Sequence, residues 1–228
     1  MSKNKMIIML IGIITLLLAA CGNQNGSRNI ASLTLNEGDN PTASQQDSYK
    51  NLFQRSVFLG DSITEGLSYH DVLNEENVLA GAGKTAQFAL EDVEELVKRK
   101  PEHIFIQLGS DDILWPTDNP KEYSLSYYAQ LIDEIAGKLP DAAITLLSVT
   151  PVTAEAESSE PRYLNIGEYN EGVKELAAEK QVGFVDLSPI VADHTELYDT
   201  DGIHFQAEYY PILLDFLKDK LVHGINTK

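Results

Sequence analysis

From residue 56 onward, short apolar runs alternate with longer stretches in which apolar residues recur every three or four positions. The runs at 56–60, 77–82, 103–108, 143–149 and 182–187 are rich in Val, Ile, Leu and Phe. Several have no polar face, as parallel strands buried on both sides require. Between them, residues 85–100 carry apolar side chains at Phe88, Ala89, Val93, Leu96 and Val97, and residues 124–139 carry them at Tyr128, Leu131, Ile132, Ile135 and Leu139. Both spacings are helical, and Pro140 closes the second segment. Two more helices are expected at 166–180 and 207–221. Alternation of strand and helix implies right-handed crossovers and a parallel sheet covered on both faces. The expected fold class is therefore α/β, a three-layer α/β/α sandwich whose strand ends open into one crevice.

The first 50 residues break this pattern. Lys3 and Lys5 precede an apolar run at 6–20 that ends in Leu18-Ala19-Ala20-Cys21. Residues 1–20 have the layout of an export signal. Leu-Ala-Ala-Cys resembles the lipobox of bacterial lipoproteins, which implies that Cys21 is lipidated and holds the chain to the outer face of the cell membrane. It is the only cysteine, so no intramolecular disulfide can form. Residues 21–50 are dominated by Asn, Gln, Ser, Gly, Asp and Thr and are expected to be a flexible tether, leaving 51–228 as the folded domain. With 228 residues, 43% of them hydrophobic, the chain is long enough for one well-buried domain, expected to be a monomer. A formal charge of −18 spread along the sequence argues against nucleic acid and anionic membrane surfaces as partners. Contact with the membrane is expected through the lipid anchor only.

Candidate chemistry lies at the predicted strand ends. Gly60-Asp61-Ser62 closes the first strand, placing Ser62 at a strand-to-helix corner where its hydroxyl projects into the crevice and helix-start amides face it. The same tripeptide is also an ordinary turn with a helix cap. After the second strand comes the small-residue loop Ala80-Gly81-Ala82-Gly83-Lys84-Thr85, and after the third comes Leu108-Gly109-Ser110-Asp111-Asp112. Near the end, Asp201 stands three residues before His204. Across a tight turn, that spacing lets a carboxylate accept the ring Nδ1 proton and leaves Nε2 free to take one from serine. His70, His103, His194 and His223 lack this arrangement and are expected on the surface or in packing.

Gly60 to Ser62, Gly83, Gly109 to Asp112 and Asp201 to His204 appear in the order of the four blocks of the SGNH, or GDSL, hydrolase superfamily. Over roughly residues 55–220 the chain resembles that superfamily, and small secreted acylhydrolases of Gram-positive bacteria in particular. The resemblance implies the SGNH hydrolase fold, with a flavodoxin-like five-stranded sheet. It also implies Ser62 as nucleophile, His204 as general base and then acid, and Asp201 as the partner that orients the ring. The oxyanion would be held by the Ser62 and Gly83 amides and by a side chain at position 111. No metal and no organic cofactor are implied, although Asp61, Asp111, Asp112 and Asp201 together offer oxygen ligands of the kind hard cations favour.

Position 111 departs from the family pattern, which has asparagine there. Loss of one oxyanion donor costs about 10² to 10³ in rate, and an ionised carboxylate would repel the oxyanion as well. Three arrangements preserve catalysis: Asp111 protonated, with Asp112 beside it raising its pKa; Ser110 acting as donor in its place; or Asp111 turned away. The expected activity is a serine esterase acting on small carboxylic esters, O-acetyl groups of cell-envelope glycans among them, with a rate reduced by Asp111. The alternative is a weakened or inactive lipoprotein that binds an envelope glycan or peptide. Trp115, Tyr123, Tyr127 and Tyr128 are open between packing and a substrate wall. The polar stretch 153–162 is expected to be a solvated loop.

Overall fold

The computed structural model describes residues 43–223. The expected signal segment 1–20, Cys21 and the tether through residue 42 lie outside the described residues. Five parallel strands form one sheet in the order β2-β1-β3-β4-β5: β1 Ser56–Gly60, β2 Val78–Ala80, β3 His103–Gln107, β4 Ala143–Leu147 and β5 Gly183–Val185. This is the flavodoxin-like order. Each strand lies within its predicted run, shortened where the pairing stops.

Side-chain alternation divides the core in two. Val57, Leu59, Ile104, Ile106, Ile144 and Leu146 face one layer, while Phe58, Phe105, Leu147 and Val185 face the other. The helices, in chain order, are α1 Ala43–Leu52, α2 Ser62–Tyr69, α3 Ala86–Ala89, α4 Val93–Arg99, α5 Pro120–Lys138, α6 Ala154–Ser159, α7 Ile166–Lys180, α8 Ser188–Val191 and α9 Tyr209–His223. The first layer is closed by α3, α4, α5 and α7, and the second by α1, α2, α8 and α9.

The single helix expected at 85–100 is divided by a 3₁₀ turn at Leu90–Asp92, where Asp92 pairs with Lys84. Three residues of 3₁₀ helix shift the phase by only about 60° relative to an α-helix, so the apolar residues on either side of the break still share a face. Helix α5 begins at Pro120, four residues before its first predicted position. Asn119 accepts a hydrogen bond from the Glu122 amide at 3.3 Å, and Pro120 suits the first turn.

Two expectations are corrected. The tether was expected to run to residue 50, but residues 43–52 are helical. Tyr49 on α1 is buried, and the Phe53 ring just beyond it is fully buried against Phe58 and Phe105, with centroids 5.6 and 6.2 Å away. Asn77 fixes the turn that follows by donating to the carbonyls of Phe53 and Ser56 at 3.1 and 2.8 Å. So few apolar residues in a polar helix leave no readable periodicity. The stretch 153–162 holds α6, with Thr153 accepting from the Ala156 amide, and the start of a 3₁₀ segment, Pro161–Asn165, that buries Tyr163. Its acidic residues face water, but Ala156 and Tyr163 anchor it to the core.

Truncating Phe53 would leave a cavity between α1 and the sheet. Phe53→Ala is expected to lower stability by about 3–5 kcal/mol, read as a drop in denaturant midpoint. Leu52→Ala, at a neighbouring exposed position, should stay within about 0.5 kcal/mol.

Candidate active site

Strand register sets the site. Gly60 at the end of β1 pairs with Ala80 on β2 and Gln107 on β3, so the loops leaving all three strands emerge at one edge. A Cβ on Gly60 would lie 2.5 Å from the Gln107 carbonyl oxygen, so only glycine fits this close approach. Asp61 then caps α2, its Oδ1 accepting from the Ile63 amide at 3.0 Å, which makes Ser62 the first residue of the helix.

Asp201, the ring partner expected from sequence, does two jobs. Its Oδ1 accepts from the Ile203 and His204 amides, both at 2.9 Å, and so folds its own turn. Its Oδ2 lies 2.6 Å from His204 Nδ1. A carboxylate can only accept here, so Nδ1 carries the proton and Nε2 is the free base. Nε2 lies 2.9 Å from Ser62 Oγ, across 142 residues of sequence. The turn is docked from behind: Thr153 donates its amide to the Gly202 carbonyl at 2.9 Å, and the Tyr198 hydroxyl donates to the Pro151 carbonyl at 2.7 Å. Burial pushes the Asp201 carboxyl up, but the His204 ring and the two amides outweigh it and hold the carboxyl below its ordinary value.

Gly83 sits in the exposed loop after β2 with φ +74, a left-handed conformation that strains other residues. Among the described residues, neither the Ser62 nor the Gly83 amide donates a hydrogen bond, so both remain available to an anion. The loop is held by Asp112, which is buried and takes the Ala86 amide at the start of α3 on both carboxylate oxygens, at 3.1 and 3.3 Å. Ser124 on α5, whose hydroxyl pairs with that of Tyr169 at 2.7 Å, lies close enough to favour the ionised carboxylate of Asp112. The third block thus positions the second, a role for Asp112 that no local sequence signal marks, because its partner lies 26 residues away.

Asp111 is half-buried, and among the described residues its side chain has no hydrogen-bond partner. It lies within electrostatic reach of His204. Tyr163, a residue that sequence reasoning did not single out, is buried near this block and feels the Asp111 charge. A depression of about 170 Å³ lined by Ile113, Asn119, Lys121 and Tyr169 does not include Ser62. The triad itself is open, with 46% and 44% of the Asp201 and His204 side chains exposed.

A model of the GDSL-like lipase/acylhydrolase family matches residues 58–212, from the end of β1 into α9. The chain belongs to this family. No curated protein matches it. Among solved structures, a GDSL-like lipase from Bacteroides thetaiotaomicron is 20% identical with a TM-score of 0.62, over 78% of this chain and 90% of that one. An acetylxylan esterase from Geobacillus stearothermophilus is 19% identical with a TM-score of 0.54, over 75% and 94%. A peptidoglycan O-acetylesterase is 14% identical with a TM-score of 0.55, over 66% and 47%. At these identities the likeness establishes the fold.

This GDSL site differs from the family pattern in its electrostatics. Burial, with the Asp111 charge adding to it, pushes the Asp61 carboxyl up to about 7, against the pull of the Ile63 and Thr64 amides. Burial pushes Asp112 up to about 6, with Ser124 and the Ala86 amide opposing and Asp111 reinforcing. Asp111 is itself raised by burial, partly offset by His204. Three carboxyls in so little water do not all ionise near neutral pH. Among the described residues no group of three or more His, Cys, Asp or Glu side chains is placed to hold a metal ion.

The raised carboxyls have a consequence for stability. Between the ordinary value of 3.8 and about 7, folded Asp61 keeps a proton that the unfolded chain has released, so its contribution is complete below that window and is lost as pH rises through it. At about 1.4 kcal/mol per pKa unit, the loss reaches about 4 kcal/mol. Melting temperature should therefore fall from about pH 4 to about pH 7, and Asp61→Asn, which keeps an oxygen for the Ile63 amide, should flatten the fall. An unchanged slope in the variant would remove Asp61 as its cause.

Proposed function

We propose that the chain is a serine esterase that hydrolyses small carboxylic esters, O-acetyl groups of a cell-envelope glycan in particular, through an acyl-enzyme on Ser62. The observation that carries this reading is the unbroken path from Asp201 through His204 to Ser62, at 2.6 and 2.9 Å. Ser62 Oγ attacks the ester carbonyl carbon while His204 Nε2 takes its proton, and Asp201 stabilises the resulting imidazolium. The tetrahedral oxyanion is met by the Ser62 and Gly83 amides. Collapse expels the glycan hydroxyl, which leaves with the proton from His204. Water then attacks the acyl-enzyme, gives its proton to His204, and releases the carboxylic acid and free Ser62.

In this reading Asp111 works as a protonated donor, the state favoured by burial beside two other carboxyls. Because Asp111 lies within electrostatic reach of His204 and its side chain has no hydrogen-bond partner among the described residues, the protonated form is the arrangement we favour among the three. The acetylxylan and peptidoglycan esterases that share the fold act on small acyl groups attached to glycans, and this supports the same substrate type here. Lipidation at Cys21 would keep the enzyme at the outer membrane face, beside such glycans. A second reading, a lipoprotein that binds without turnover, is favoured by one feature: an ionised Asp111 would oppose the oxyanion.

Hydrolysis of short-chain p-nitrophenyl esters decides between them. Ser62→Ala is expected to lower kcat by at least about 10³-fold, and Asp111→Ala by about 10² to 10³. Native activity should fall as pH rises and Asp111 loses its proton. Asp111→Asn, a donor that does not titrate, should extend activity to higher pH. A native plateau from neutral to alkaline pH would refute the protonated donor, and hydrolysis that survives Ser62→Ala would refute the esterase.

A further inference from the structure

Phe88, Trp115, Tyr123 and Tyr127 form a continuous aromatic row. Phe88 meets Trp115 edge to face at 5.6 Å, Trp115 lies parallel to Tyr123 within 10° at 6.5 Å, and Tyr123 meets Tyr127 at 5.0 Å. Tyr128, which the sequence grouped with them, is core: it is fully buried and donates its hydroxyl to the Ile106 carbonyl at 3.2 Å. The row behaves differently. Among the described residues, Phe88, Trp115 and Tyr123 join neither core cluster, and only Tyr127 leans on one. Phe88 is exposed, and the other three are half-buried.

The geometry leaves ring faces uncovered. Parallel rings in van der Waals contact lie about 3.5–4 Å apart, so a centroid separation of 6.5 Å means a lateral offset of roughly 5 Å. Most of each face is then uncovered by its neighbour. The row is also held in place, because the Tyr123 hydroxyl donates to Gln87 Oε1 at 2.9 Å. Rings fixed in this way lose little entropy when a ligand arrives.

The row begins at the loops that serve Ser62. Phe88 stands on α3, five residues beyond Gly83, on the helix whose first amide Asp112 holds. Trp115 follows Asp111 through the 3₁₀ turn Asp112–Leu114, about 8 Å of backbone at about 2 Å per residue. A ligand lying on the row is therefore continuous with the catalytic crevice.

We infer that this row is a platform on which the sugar rings of a neutral, acylated polysaccharide stack while its ester reaches Ser62. The inference rests on the esterase reading and adds the substrate's recognition site. Sugar rings present apolar C–H faces bordered by hydroxyls. Aromatic faces take the former, and the tyrosine hydroxyls and Gln87 offer partners to the latter. A row this open offers no enclosed slot for an acyl chain. The polysaccharide is neutral because the chain carries −18 and the exposed Asp118 and Glu122 flank the row, a field that repels polyanions.

Trp115 is the only tryptophan, so its fluorescence reports this surface alone. The full chain carrying Ser62→Ala, titrated with O-acetylated neutral xylo-oligosaccharides, should show a saturable fluorescence change. Adding Tyr123→Ala should weaken the affinity at least tenfold, while Tyr123→Phe, which restores the ring, should recover most of it. Tyr69→Ala, on an exposed side chain of α2, should leave the affinity unchanged. Polygalacturonate should give no response. In the active enzyme, Trp115→Ala should lower kcat/KM for the acetylated glycan at least tenfold more than for p-nitrophenyl acetate, through KM. Saturable binding supports the platform even if Ser62-dependent hydrolysis is absent, in which case the esterase reading alone fails. Ser62-dependent hydrolysis without any glycan response overturns the platform and leaves the esterase standing. A response confined to phospholipid vesicles or long-chain esters also overturns it, in favour of an acyl-binding surface.

Discussion

The site depends on where β1 sits in the sheet. Its neighbours are β2 on one side and β3 on the other, so the connection leaving β1 towards β2 and the one leaving β3 towards β4 diverge from adjacent carboxyl ends. Ligands of open α/β sheets collect at such switch points because no crossover covers them. Gly60 allows β1 to end tight against β3, and Ser62 opens the following helix at that gap. The in-register pairing with Ala80 and Gln107 brings Gly83 and Asp111 to the same edge. The His204 turn completes the site from the far end of the chain.

Four aspartates around that gap meet different fates, and environment decides each. Asp201 keeps about half its side chain in water and gathers one ring nitrogen and two amides, so its ionised form is favoured. Asp61 also has amide donors, but it is fully buried beside another carboxyl, and burial dominates. Asp112 is committed to α3 and α5, where its work is positional. Asp111 alone among the four lacks a side-chain hydrogen-bond partner among the described residues, which leaves it to face whatever occupies the crevice.

The loops that bring Gly83 and Asp111 to the site also carry the exposed aromatics. Phe88 and Trp115 follow them directly, and Tyr123 and Tyr127 extend the row along α5. Two loops thereby link the edge of the sheet to a surface outside the crevice. Asp112, through the Ala86 amide, and Tyr123, through Gln87, both stiffen that link at the start of α3.

The local pattern alone determined the strands, the α7 helix at 166–180 and the Asp201–His204 turn, because each is specified by burial periodicity or by partners within three residues. The family blocks put Ser62, Gly83 and position 111 at strand ends. Helix α1 escaped because its burial rests on very few side chains, and 153–162 because its acidic surface concealed the two residues that face inward. Only the tertiary structure decided that Asp112 holds the Gly83 loop, that Tyr163 and Tyr128 are core, and that Trp115 and Tyr123 remain outside it. Each of those outcomes depends on partners brought from distant parts of the chain, and periodicity records which face a residue occupies but not what it meets there.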